Sequence, residues 1–488
     1  MWVVVVIGFL LVSLIWSLTG RRKGLPPGPT CYPIIGNVGI IKPSEAVQSH
    51  RRLRKIYGDI YTVMIFHKSM IFVHGYHNIR NLLLKNGDLL SERPNVYPAE
   101  VITKRKGLVW TSGSFWKEQR TFALTAMRKF GFGRRCMETQ IIEEVDCLMN
   151  EMEKFHSSAF DIQALLNITV SNVICSLLFG KRFDYKDAKF KHFTSLLDEL
   201  FANVKASSPA FILPWLRHIK MFNLDKTTEL ANTLFGFITE MVEDCKQNFD
   251  EDNINNYIHA YLLEQKRRAN ELDTTFTDEQ LNHSVRDFFD AGTETTSTTL
   301  RWALLYLMHH QDWQKRLQDD IDDVIGQGQP KMEHKDKLPR VEAFILEVQR
   351  LANLVPLNVP HTSKQDFMYN GYIFPKGAIV FGVLDSVMSD PEIFPEPSNF
   401  KPERFLDENG KCCGEPKTKL IPFSIGMNLF EIQYLISIST HRHRYRLNGT
   451  CVRTTNYSLN FDSWVNLLQQ ILVYMICLSS YKQGAVHV

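Results

Sequence analysis

Apolar positions recur along this chain with three different spacings, and each spacing predicts a different element. The first is an unbroken run. Trp2 to Leu18 carries no charge and is interrupted only by Gly8, Ser13 and Ser17. That length sits at the short limit for a membrane-spanning helix. Arg21-Arg22-Lys23 follows at once, which favours keeping the C-terminal side in the cytosol. A cleaved signal peptide would place positive charge ahead of the apolar run and small residues at a cleavage site, and neither is present. Residues 1–20 therefore read as an uncleaved transmembrane anchor. Residues 21–40 are basic and proline-rich, with Leu25-Pro26-Pro27-Gly28-Pro29 and then Pro33 to Asn37. Prolines fix φ and disfavour helix, so this stretch reads as a stiff hinge.

The second spacing is short and β-branched. Between Ile56 and Val73, bounded by Gly58 and Gly75, it predicts a hairpin, and a strand-rich stretch reappears from Val359 to Phe381. The third spacing is helical and dominates from the end of the hairpin, at Gly75, to about residue 325. Its clearest stretch is Thr277 to Met308, where Leu281, Val285, Phe288, Gly292, Thr296, Leu300, Ala303 and Leu307 recur at three- and four-residue steps. Thr277 and Gln280 have the spacing of a capping box. A continuous helix here is roughly 30 residues and about 45 Å long, enough to cross a whole domain.

Composition narrows the class. The 488 residues are 44% hydrophobic and 22% charged, which suits a large globular enzyme with a sizeable core. A net charge of +3 gives no argument for nucleic acid, and no stacking-plus-basic platform is visible. Nine scattered cysteines form no disulfide framework and fit a reducing compartment.

Chemistry gathers on the long helix, in Asp290-Ala291-Gly292-Thr293-Glu294-Thr295-Thr296. Glycine mid-helix costs about 1 kcal/mol against alanine, which points to a close approach to the backbone at Gly292. Glu294 and Thr295 are placed to pass protons to a bound ligand; a core helix with a tolerated glycine is the plain alternative. Trp116 and Arg120 lie one turn apart, where an indole N–H and a guanidinium can clamp a carboxylate, or the tryptophan simply packs inward. Ser207 to Leu216 is apolar and then basic at Arg217, His218 and Lys220, which suits a loop at the membrane interface or burial in the core. Glu347 and Arg350 fall one turn apart as a candidate ion pair. A second Glu-x-x-Arg at Glu264 and Arg267 shows that this spacing needs context. The context is Val359-Pro360-His361, Phe400-Lys401-Pro402-Glu403-Arg404-Phe405 and Pro422-Phe423-Ser424-Ile425-Gly426.

Taken in order, over about residues 1–426, this set resembles the cytochrome P-450 monooxygenases, and within them the microsomal animal branch that oxidises drugs, steroids and fatty acids. The resemblance implies a mostly α fold with small β-sheets over 41–426, an N-terminal anchor and haem b. It implies electrons from NADPH through NADPH-cytochrome P-450 reductase, with cytochrome b5 as a further partner. It implies a lipophilic small-molecule substrate and the endoplasmic reticulum membrane, with the body facing the cytosol. By the same resemblance Glu294 and Thr295 deliver protons to dioxygen and Gly292 leaves it room. Trp116, Arg120 and His361 hold the haem propionates, and Phe423 and Gly426 belong to the haem-binding segment. Glu347, Arg350 and Arg404 form a structural ion-pair network. Substrate choice falls to loops around 95–115 and 200–220 and to Leu357, which carry no readable code.

The pattern breaks after Gly426. In that family the motif leads into x-Arg-x-Cys-x-Gly, whose cysteine ligates the iron. Here Asn428 stands in the arginine position, Phe430 in the cysteine position and Ile432 in the glycine position. A phenyl ring cannot bind iron, and the thiolate is the group that pushes electron density toward O–O cleavage. Cys412, Cys413, Cys451, His441 and His443 are the remaining donors, but ligation depends on a specific supporting shell. The tail from 427 to 488 holds His-Arg-His-Arg-Tyr-Arg at 441–446 and an apolar patch from Trp464 to Leu478, too polar for a span. The boundary reads as a splice variant, a read-through or a gene-model error. Three outcomes follow: a monooxygenase by descent, a catalytically dead anchored variant, or a chain that does not fold.

Overall fold

The computed structural model describes residues 2–425, except 20–22, 33–34, 131–134, 156–159, 204–208, 220–223 and 327. The readings of Gly426, Asn428, Phe430, Ile432, His441, His443, Cys451 and the 427–488 tail lie outside the described residues.

The architecture is mostly helical with two small sheets, as the resemblance implies. Its axis is the helix Asp278–His309, 32 residues long, or about 48 Å. Thr277 caps it, its hydroxyl accepting the Gln280 N–H at 3.2 Å. The capping box is only half formed. The Gln280 side chain turns instead to Gly107, accepting its N–H at 2.8 Å and donating to its carbonyl at 3.0 Å. Gln280 is fully buried, so its amide must find interior partners, and the Gly107 peptide supplies both. Against this axis packs Gln163–Phe179, a helix that is apolar nearly all round, as a buried helix should be. Gly180, at φ 68°, ends it in the left-handed conformation.

The predicted hairpin forms as β1 (Ile60–Ile65) and β2 (Lys68–Val73), antiparallel with Ile60 opposite Val73. From the far end of the chain come β3 (His361–Thr362), β4 (Phe367–Tyr369), β5 (Tyr372–Phe374) and β6 (Ile379–Gly382). β6 pairs parallel with β2 and antiparallel with β3, giving the order β1-β2-β6-β3. β4 and β5 are a separate hairpin turned by Asn370 and Gly371, both at positive φ, the pair that a tight two-residue turn favours.

The proline-rich stretch is tied to the body of the fold. From Gly24 onward it lies along the sheets. Thr62 N–H donates to the Pro27 carbonyl at 2.8 Å, Ile373 N–H to the Gly24 carbonyl at 2.7 Å and Met64 N–H to Asn37 Oδ1 at 2.9 Å. Edge strands need acceptors for their N–H groups, and a chain rich in proline still offers every carbonyl. Ahead of it, Trp2–Thr19 is one helix of 18 residues with Trp2, Phe9 and Leu10 exposed. Among the described residues no helix is long and apolar enough to cross a membrane.

Most of the apolar stretch before Arg217 is core. Ala210, Phe211, Ile212, Leu213 and Leu216 are buried against Tyr97, Phe72 and Phe381. Trp215 and Ile219 project, 55% and 44% exposed.

Candidate functional site

At the middle of the central helix, Thr295 donates to the Ala291 carbonyl at 2.7 Å and Thr296 to the Gly292 carbonyl at 2.6 Å, local bonds that satisfy a hydroxyl within a helix. The close approach expected at Gly292 is made by the neighbouring helix: a Cβ there would lie 2.5 Å from Ile174 Cδ1. Glu294 is half-buried, and its carboxylate accepts from the Thr298 hydroxyl at 3.0 Å. Burial pushes its pKa up and Asp198 adds to the shift, with Thr298 and Arg301 opposing. The helix thus sets a carboxyl group biased toward its protonated form beside a hydroxyl, a pairing suited to proton delivery.

A second cluster forms where the 107–112 loop meets β3. Trp116, on the helix Gly113–Lys129, is buried, and its indole N–H donates to the Leu108 carbonyl at 3.1 Å. Arg120 stacks on that ring, 4.8 Å from its centroid. The expected shared face is therefore present, with the indole N–H engaged by the loop. The loop itself is fastened to the central helix: Leu108 and Val109 N–H both donate to Asp287 Oδ2, at 2.5 and 2.9 Å. Burial pushes the Asp287 carboxyl up to about 7 despite those bonds. His361 opens β3, buried, with Nδ1 2.9 Å from the Leu90 carbonyl. A carbonyl only accepts, so Nδ1 carries the proton. Burial and then Arg93 push the imidazole down to about 3, so it is neutral.

Arg93 is a residue that sequence reasoning did not single out. It is buried; Nε donates to the Val109 carbonyl at 3.2 Å and a terminal nitrogen to the Pro360 carbonyl at 2.9 Å. It joins the loop of Trp116 to the strand of His361. Nothing in Ser-Glu-Arg-Pro marks such a role beyond an arginine ahead of a proline turn.

The ion-pair network is complete. Arg350 grips both Glu347 oxygens, at 2.7 and 2.8 Å, and Arg404 reaches Glu347 Oε1 at 3.2 Å. The Lys401 N–H adds a bond to Glu347 at 2.9 Å, and Arg350 also donates to the Met388 and Pro397 carbonyls. All three charged side chains are 5% exposed or less. The second Glu-x-x-Arg behaves differently: Glu264 and Arg267 are 3.8 Å apart, with Arg267 67% exposed.

Near the end of the described chain Phe423 is buried. Ser424 holds φ at 79°, its hydroxyl accepting from Asn358 Nδ2 at 2.7 Å. Of the nearby thiols, Cys412 is pushed up by burial and by Glu342, and Cys413 by its bond to Asp407. Both shifts disfavour the thiolate that a metal needs. Among the described residues no group of three or more His, Cys, Asp or Glu side chains is placed to hold a metal ion.

Known proteins share this frame. The family profile described as Cytochrome P450 matches residues 26–428. The chain is 35% identical to cytochrome P450 2C8 of Homo sapiens over 436 residues, 87% of each protein. It is 36% identical to cytochrome P450 2C25 of Mesocricetus auratus over 440 residues, 87% of this chain and 88% of that one. It is 34% identical to cytochrome P450 2C7 of Rattus norvegicus over 462 residues, 91% and 92%.

Proposed function

This chain belongs to the cytochrome P450 family, and on that premise we propose that it descends from haem-dependent monooxygenases inserting one atom of dioxygen into a lipophilic small molecule. The observation that carries this reading is the family match over residues 26–428, and Glu294 and Thr295, adjacent at the middle of the central helix, are the residues we assign to proton delivery. Electrons would come from NADPH through a reductase, with cytochrome b5 as a second donor. The helix Trp2–Thr19 and Arg21-Arg22-Lys23 support an anchor in the endoplasmic reticulum membrane with the body in the cytosol.

One side of the chain fits haem b. Arg93, Arg120, Trp116 and His361 bring two guanidinium groups, an indole and an imidazole to one partly buried junction. Buried positive charge of this kind is offset by carboxylates such as the haem propionates. Bound haem supplies dioxygen activation. The chain's own part is narrower: Glu294, its pKa pushed up by burial, and Thr295, one residue on, would move a proton, and Gly292 lets Ile174 approach the helix backbone.

The iron side does not fit. Phe430 occupies the position of the family's cysteine, the profile match ends at residue 428, and Cys412 and Cys413 are held toward the thiol. This favours a second reading, a catalytically dead, membrane-anchored variant. A reduced carbon-monoxide difference spectrum of the full chain supplied with haem separates the two. The expected result is no band at about 450 nm, the thiolate signature. A band there restores the active reading for the chain as it stands. Replacing residues 427–488 with a cysteine-bearing segment of the family then tests the body, and a band at about 450 nm is expected.

A further inference from the structure

Away from that junction, a cleft of 590 Å³ opens between the helix Ala46–Tyr57, the β1–β2 hairpin and the short helix Asp385–Met388. Its walls carry an imbalance of donors over acceptors. His50, Arg51, Arg54 and Lys55 come from successive turns of one helix. Arg51 uses Nε and one terminal nitrogen on the two oxygens of Asp385, at 2.7 Å each, and Arg54 gives its Nε to Asp59 at 2.7 Å. The two carboxylates are matched by two guanidinium groups. Lys55 lines the same cleft and adds a further positive charge to its wall. Asp385 is further occupied by Asn353, which donates to it at 3.2 Å.

The second observation lies in the wall. His74 is 1% exposed, yet neither ring nitrogen has a hydrogen-bond partner. The Tyr61 ring lies tilted against it, 5.3 Å between centroids, but the Tyr61 hydroxyl is paired with His50 Nδ1 at 2.6 Å. An imidazole buried this deeply normally has a partner, and His74 lines the cleft. Burial, then His50 and Arg54, push its pKa down to about 3, so near neutrality His74 offers one neutral N–H.

We propose that this cleft binds a phosphate group. A compact anion with acceptor oxygens on every side matches donors supplied by the helix Ala46–Tyr57 and by His74, just past β2. A carboxylate has acceptors on one edge only, and a cation meets Arg51, Arg54 and Lys55. The phosphate belongs either to a soluble phosphate compound or to a lipid headgroup, two sources with the same recognition chemistry.

The test uses the full chain in neutral detergent, titrated with inorganic phosphate while thermal unfolding is followed, and in phosphatidylcholine nanodiscs with and without phosphatidic acid. Saturable stabilisation by inorganic phosphate is expected, with apparent affinity weakened about tenfold or more in Arg54→Gln/Lys55→Gln. The control Lys331→Gln/Lys337→Gln should match the parent. Phosphatidic-acid-dependent stabilisation that the double variant loses, without a response to inorganic phosphate, assigns the headgroup. No response to either phosphate source, or equal responses in parent and double variant, overturns the proposal. If the double variant melts early without phosphate, Lys55→Gln alone carries the comparison, since Lys55 is exposed.

Discussion

Asp287 shows how far one buried side chain can act. Its Oδ2 holds two N–H groups of a loop about 180 residues away in sequence. Because burial raises its pKa from 3.8 to about 7, the folded protein retains a proton that the unfolded chain releases. Its contribution to stability is present below about pH 4 and is lost as the pH climbs through 7. Asp287→Asn keeps a carbonyl oxygen for both bonds and removes the ionisation. Melting temperatures across this range should then vary less with pH than the parent's. Asp287→Ala strands two buried N–H groups and should cost about 2–4 kcal/mol in urea unfolding. The two Glu-x-x-Arg pairs make a matched comparison: Arg350→Ala leaves Glu347 buried and under-compensated, with an expected loss of about 3–5 kcal/mol. Arg267→Ala, at an exposed pair, should stay within about 0.5 kcal/mol of the parent. Spacing alone could not separate these pairs; the surrounding motifs could. Arg93 and Asp287 had no such signal, because their main partners are backbone groups remote in sequence.

Among elements, the central helix was legible almost to its ends, since a capped three-and-four periodicity depends on the local chain alone. What approaches Gly292 was not legible, because the contact belongs to another helix. The Ile174 contact predicts a graded response. Gly292→Ala meets only the mobile end of Ile174, and its helix propensity gain of about 1 kcal/mol roughly offsets the rearrangement. Gly292→Leu should cost about 1–3 kcal/mol, and Ile174→Ala in the same chain should recover much of it. A double-mutant cycle in denaturant measures that coupling, and additive losses would show the two side chains to be independent. The 210–216 segment teaches a related lesson. Hydrophobicity announces that a segment will be covered and not by what. Here protein covers Phe211 and Leu216, while Trp215 remains outside.

At the scale of the whole molecule, the proposal that the helix Trp2–Thr19 anchors the chain can be tested apart from the body. Deleting residues 1–22 should abolish flotation with liposomes and leave the melting temperature of the body unchanged. Codepletion of both would place the N-terminal helix within the fold's stability. The four-stranded sheet imposes a timetable of its own. β2 is complete at Val73, but its parallel neighbour β6 begins at Ile379, about 300 residues later. A ribosome needs roughly 15–60 s to cover that distance. Throughout it the nascent hairpin presents Met70 to Val73 as an open edge, the kind of surface that recruits other strands. Growing chains on one message expose the same edge close to each other, so synthesis is the stage at which this edge can recruit a second copy.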